Sequence, residues 1–191
     1  MSGEPTLKNI KLHFYIDIIS LEKKLSKVEC SVVYCNNFAV LRSKFTYIVF
    51  YGVNFVNTTG VKSFGEIEAS ISHFCNLIQA DRVTIEKYTI DNITWSGVYR
   101  SQIDLINLKR EVINSKEDIR VIYNPFKFPG ASFRYNKTLT REKSPTLILF
   151  TRGTYTIVGS KCIEDAMMIY ANIKTFLRMI DREKSFAQTA G

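Results

Sequence analysis

The chain has 191 residues, 46% of them hydrophobic, and 26 Lys and Arg against 18 Asp and Glu give a formal net charge of +8. That length can bury a sizeable core, as one domain or as two small fused units. The positive balance suits an anionic partner, nucleic acid first and a membrane surface second, or simply a solvated surface. No run of about 18 apolar residues is present to cross a membrane as a helix. The first residues lack the basic and apolar regions of a secretory signal, so a secreted protein is not expected. Cys30, Cys35, Cys75 and Cys162, with only His13 and His73 besides, have no zinc-ligand spacing and read as reduced, mostly buried thiols.

In chain order, residues 7–16 alternate with Leu12, Phe14 and Ile16 on one face, which predicts a strand. Ser20 opens a helix through Leu21, Leu25 and Val28. Strands follow at residues 31–35, 38–41 and 45–50, the last two joined as a hairpin through Arg42-Ser43-Lys44, and another at 55–59. Ser63 and Glu66 form a capping-box pattern ahead of Ile67, Ile71, Phe74 and Ile78 on one helical face. After a short link around Ala80-Asp81-Arg82, residues 88–94 read as a strand. Ser101 and Asp104 resemble a helix N-terminus before Leu105, Leu108 and Val112. Residues 119–123 are a strand, Asn124-Pro125 a turn, and residues 133–135 and 146–150 a hairpin around a long basic loop. A strand at 155–158 precedes a final helix carrying Ala166, Ile169, Tyr170, Ile173 and Leu177. The polar residues 181–191 read as a flexible tail.

The order strand, helix, several strands, long helix occurs twice. Phe50, Gly60 and Lys62 recur as Phe150, Gly159 and Lys161, each 99 or 100 residues on, and Asn9 recurs as Asn92. A duplicated unit implies a pseudo-symmetric object, and nearly two-fold duplex DNA is a natural thing for it to read. The pattern predicts an α+β fold: one continuous antiparallel sheet of about ten strands, with four helices covering one face. Residues 46–50 are β-branched or aromatic at both parities, so the uncovered face is not simply polar and reads as a binding surface.

The stretch Phe128-Pro129-Gly130, Phe133-Arg134, then Leu147 to Phe150, Gly153, Gly159 and Lys161, resembles the TATA-box-binding protein (TBP) family. Its patterns are F-P-G-x-x-Y-R and L-I-F-x-x-G-x(5)-G-A-K. The first half matches more loosely, through Phe38-Ala39-Val40, Phe50 and Thr59-Gly60-Val61-Lys62, so the chain resembles a divergent member, such as one from a large DNA virus or a protist. The resemblance implies a saddle of two repeats, 1–80 and 81–180, with the helices on the convex face. It implies promoter binding through the concave sheet face, in the minor groove, and bending by intercalation of Phe38 with Phe50 and of Phe128 with Phe150. It places Asn9, Lys11, Thr59, Asn92, Thr94 and Val158 against base edges, and Arg42, Lys62, Arg134 and Lys161 against phosphates. Lys11 and Thr94 stand where the family has groove-facing Val, which implies a relaxed sequence preference. The implied partners are AT-rich duplex DNA, general transcription factors of IIB and IIA type or their counterparts, and RNA polymerase machinery. The implied location is the nucleus, or a viral factory in the cytoplasm; no cofactor is implied.

From the residues alone, a Phe ending a strand is most often core, and exposed Lys and Arg are most often solvated charge. No carboxylate pair, nucleophile-base set or phosphate loop argues for an enzyme. The main alternative to a DNA-bending initiation factor is a TBP-like interaction scaffold with weak or no sequence-specific DNA binding. A further one is a substrate-positioning domain detached from a nucleic-acid enzyme.

Overall fold

A computed structural model describes residues 4–16, 21–80, 87–99, 102–115, 117–135 and 144–189. Its strands are β1 (Thr6–Tyr15), β2 (Ser31–Tyr34), β3 (Phe38–Arg42), β4 (Thr46–Phe50), β5 (Phe55–Val61), β6 (Tyr88–Val98), β7 (Ile119–Asn124), β8 (Phe128–Tyr135), β9 (Thr146–Phe150) and β10 (Thr154–Ser160). Its helices are α1 (Leu21–Leu25), α2 (Glu66–Leu77), α3 (Leu105–Asn114) and α4 (Ile163–Thr189). Among the described residues the expected ten strands and four helices are present, the strands in one antiparallel sheet. The chain divides into an N-terminal unit, Leu7–Ile93, and a C-terminal unit, Thr94–Gly191 with Met1–Thr6.

In the N-terminal unit the strand order is β2-β3-β4-β5-β1-β6. Period-two alternation separates two faces. Ile10, Leu12 and Phe14 of β1, Ala39 and Leu41 of β3, Tyr47 and Val49 of β4 and Val56 of β5 are buried with Ile67, Ile71 and Phe74 of α2. Phe74 anchors this layer, its ring 5.7 Å from Phe14 and 5.0 Å from Tyr47, and the Tyr47 hydroxyl donates to the Ser70 carbonyl at 2.7 Å. The alternate residues, Lys11, His13 and Tyr15 of β1, Phe55, Asn57 and Thr59 of β5, Ile48 and Phe50 of β4 and Phe38 and Val40 of β3, lie on the other face at intermediate or full exposure.

In the C-terminal unit the order is β6-β10-β9-β8-β7. Ala131, Phe133, Leu147, Leu149, Tyr155 and Ile157 pack with Leu105, Leu108 and Val112 of α3 and with Ala166, Ile169, Tyr170, Ile173 and Leu177 of α4, all buried. The Trp95 indole donates to the Ser160 hydroxyl at 2.9 Å, and Tyr155 stacks on Tyr170 with centroids 5.2 Å apart. Burial holds the Tyr155 phenol above its usual range.

Several elements differ from expectation in extent. Helix α1 ends at Leu25, because Lys27 and Val28 close turns onto the carbonyls of Lys24 and Leu25. Ser20, its expected first residue, lies outside the described residues, as do Asp81, Arg82, Ser101 and the basic loop 136–143. Asp104 is itself the N-cap of α3, its carboxylate accepting from the N–H groups of Ile106 and Asn107 at 3.0 Å. The capping box at Ser63 does not form: α2 begins at Glu66, and that carboxylate accepts from the N–H of Lys62 at 2.9 Å. Strand β8 begins at Phe128, five residues before the expected hairpin strand, and α4 continues through 181–189, where a tail was expected. Residues such as Arg182, Glu183, Lys184 and Ala187 are good helix formers, so polarity alone did not mark an end.

Candidate nucleic-acid interface

The hairpin register places the aromatic pairs. In the N-terminal unit Phe38, first residue of β3, is the direct cross-strand partner of Phe50, last residue of β4, with ring centroids 5.6 Å apart. In the C-terminal unit Phe150, last residue of β9, is opposite Gly130, and Phe128 reaches it from two residues further out, at 5.8 Å. Both pairs stand on the face that the helices leave uncovered, and Phe128 is 45% exposed. Gly130 leaves room for both rings: a Cβ would lie 2.8 Å from Cε1 of Phe128 and 3.0 Å from Cε1 of Phe150, so a side chain there would displace them.

The two pairs are not equivalent. Arg42 pairs with Thr46 and Arg134 with Thr146, so by register Phe38 occupies the position of Gly130, and Asn36 that of Phe128. The shorter first hairpin thus keeps a ring pair by moving the ring inward two residues.

The polar residues singled out in the sequence divide into groups. Asn9 and Thr59 are brought together: the Asn9 amide donates to the Thr59 hydroxyl at 3.0 Å, and its carbonyl oxygen accepts the N–H of Gly60 at 2.7 Å. This fixes the amide, and its second N–H proton is not engaged by those bonds. Gly60 has φ +93° and Gly159 φ +84°, the left-handed region that explains why the Gly-x-Lys turn recurs with glycine. Asn92, Thr94 and Val158 are half-buried on β6 and β10, Val158 opposite Thr146. Lys11 is exposed on β1.

Arg42, Lys62, Arg134 and Lys161 all carry exposed side chains. The backbone N–H of each of the two lysines has a side-chain acceptor. Glu66 accepts from Lys62 N–H, and Asp165 from Lys161 N–H at 3.5 Å, so a carboxylate four residues on fills the same place in both units. Arg134 donates through Nε to the Thr146 hydroxyl at 2.8 Å, which holds its guanidinium over the sheet.

Several residues here had no signal in the sequence. Arg120 of β7 is directly opposite Arg134, and the two line a hollow of about 230 Å³ with Ile122, Ser132 and Thr146. Like charges directly opposed across a strand pair are unfavourable without an anion between them. In the N-terminal unit, Nδ1 of His13 lies 2.7 Å from an Asp91 carboxylate oxygen. Only the strand register reveals these pairs. The turn before β8 carries Phe126, 98% exposed, its N–H donated to the Asn124 side chain at 3.1 Å.

Among the described residues no group of three His, Cys, Asp or Glu could hold a metal, and no helix is long and apolar enough to cross a membrane. Burial pushes the thiols of Cys30, Cys75 and Cys162 up, away from thiolate chemistry.

Comparison with known proteins agrees with this geometry. The family model described as transcription factor TFIID (or TATA-binding protein, TBP) matches residues 87–181. A TATA-box-binding protein of Archaeoglobus fulgidus is 31% identical over 94 residues, a match spanning 49% of this chain and 45% of that protein. The solved structure of Methanococcus jannaschii TBP superposes with a TM-score of 0.72 at 22% identity, covering 93% of this chain and 99% of that one. The second repeat carries the sequence likeness and nearly the whole chain carries the fold: this protein belongs to the TATA-box-binding protein family.

Proposed function

We propose that the protein is a transcription initiation factor that binds promoter DNA in the minor groove and bends it. Each repeat, 1–80 and 81–180, applies the sheet face that its helices leave uncovered. The observation that carries this reading is the pair of aromatic rings at matching strand ends on that face in each unit, Phe38 with Phe50 and Phe128 with Phe150. A minor groove offers few hydrogen-bond distinctions, so apolar contact and deformability carry much of the readout. Opening a base step costs a few kcal/mol, which wider contact offsets. Large rings on stiff strand ends suit that task, and Gly130 supports it by leaving space for both rings of the second pair.

In this reading Asn9 and Asn92 donate to base acceptors, Thr59 holds the Asn9 amide in place, and Lys11, Thr94 and Val158 line the groove floor. Arg42, Lys62, Arg134 and Lys161 take phosphates, with Arg120 beside Arg134. AT-rich DNA is the preferred partner, with Lys11 relaxing the preference. General transcription factors and RNA polymerase machinery complete the assembly, in the nucleus or wherever the promoter lies. The resemblance implies an acidic contact for factor IIB just before Phe128. Here residues 124–127 carry no acid and expose Phe126, so the counterpart contact is aromatic and basic.

The scaffold reading draws on one observation, the Asp91 carboxylate bonded to His13, since an acid beside the sheet face repels phosphate. Competition separates the two. A crescent-shaped cationic drug that fills the minor groove of AT-rich duplex should displace the protein, while bulky groups placed in the major groove should not. Binding untouched by the minor-groove drug would remove the proposal.

A further inference from the structure

A wedge needs two rings, yet the uncovered face of the N-terminal unit carries a longer row. Phe38 on β3 neighbours Phe50 on β4, Phe50 neighbours Phe55 on β5, and Phe55 neighbours Tyr15 on β1, each as a direct cross-strand partner. Successive centroids are 5.6, 5.7 and 5.2 Å apart. The His13 ring joins the row 4.9 Å from Phe55. Tyr15, at the inner end, is 61% exposed. The C-terminal unit does not repeat this. Tyr155 pairs with Leu149, so the β10 residue beside Phe150 is Thr154, and the aromatic row there stops at Phe128 and Phe150.

We infer that the row Phe38, Phe50, Phe55 and Tyr15 is a stacking platform for unpaired bases of single-stranded DNA. Every base has an apolar π-face, so aromatic side chains on adjacent strands of an open sheet hold successive bases with little regard to sequence. Polar groups for the base edges stand one pleat inward, where Asn57 is opposite His13. Lys11, exposed two residues before His13 on the same strand, supplies charge for the phosphates. Neither Phe55 nor Tyr15 is used by the wedge. The platform itself does not depend on duplex bending. Only the choice of DNA over RNA rests on the proposed function, because Phe38 and Phe50 belong to both surfaces.

The test is fluorescence anisotropy of the full chain with labelled oligo-dT of about twelve nucleotides, within the range of one single-strand site, at low salt. The wild type binds. Tyr15→Ala and Phe55→Ala each weaken binding about tenfold, as loss of one stacked base predicts. Tyr15→Phe retains binding, because the ring and not the hydroxyl does the stacking. Phe150→Ala leaves oligo-dT binding unchanged while losing duplex bending, so the two activities fail separately. Tyr15 is exposed, and unchanged circular dichroism of Tyr15→Ala checks the fold. No binding of oligo-dT by the wild type, unchanged affinity in a folded Tyr15→Ala, or tighter binding of oligo-rU than of oligo-dT would overturn the assignment.

Discussion

Phe150→Ala is expected to abolish duplex bending while leaving the protein folded. The ring is half-buried at the end of β9, packed on Phe128 and over Gly130, and alternates with Leu147 and Leu149, which face the helix layer. Full burial of a Phe side chain is worth about 1.5–3 kcal/mol, so a half-buried ring contributes on the order of 1 kcal/mol. For a chain of this size that lowers the melting temperature by about 2–4 °C. The effect on DNA is larger, because a wedge that is absent cannot hold an unstacked step open. Phe133→Ala is the contrasting control: this ring is on the buried face of the neighbouring strand at 0% exposure, and its loss costs about 3–5 kcal/mol. End-labelled duplex monitored by energy transfer, alongside thermal melting, separates the two variants. A Phe150→Ala protein that still bends DNA, or one that melts as early as Phe133→Ala, would show that Phe150 is ordinary core.

The second large effect concerns salt. Four exposed cations, Arg42, Lys62, Arg134 and Lys161, are assigned to phosphates. Each phosphate neutralised contributes about −0.9 to the slope of log affinity against log salt. Four contacts then predict a slope near −3.6 and a fall of about 100-fold in affinity between roughly 50 and 200 mM salt. Replacing Arg42 and Arg134 together by Gln should flatten the slope by about 2 without moving the melting transition appreciably. Titrations at several salt concentrations check both numbers. A flat salt response in the wild type would argue against DNA as the partner.

Much of the fold was legible because its signals are local. Leu12, Phe14 and Ile16 alternate with period two, and Ile67, Ile71 and Phe74 recur with the period of a helix, so both elements follow from spacing alone. The recurrence of Phe50, Gly60 and Lys62 as Phe150, Gly159 and Lys161 showed the duplication. What spacing could not show is register. The direct opposition of Arg120 to Arg134, the ring of Phe38 standing where the other repeat has Gly130, and the row from Phe38 to Tyr15 are all relations between strands. Phe55 and Tyr15 each look like an ordinary strand residue until the ladder puts them side by side. The Ser63 capping pattern failed for a related reason: Glu66 has another N–H within reach, that of Lys62, and the helix starts later. Of the expected site residues, the structure brings Asn9 to Thr59, Phe38 to Phe50 and Phe128 to Phe150.

The asymmetry between the repeats also bears on the base steps that each ring pair would open. One ring pair is set directly across a hairpin and extended by Phe55 and Tyr15; the other is set diagonally over a glycine. Two ring pairs built so differently would not accept every base step equally.

The central claim is that the protein bends duplex DNA from the minor groove, and the most direct measurement is energy transfer between the ends of a duplex of about two helical turns. With the wild-type protein at near-physiological salt, transfer should rise on an AT-rich duplex and rise less on a GC-rich one. Saturating binding to the AT-rich duplex with no change in transfer would contradict the account, leaving a basic surface that holds DNA without deforming it.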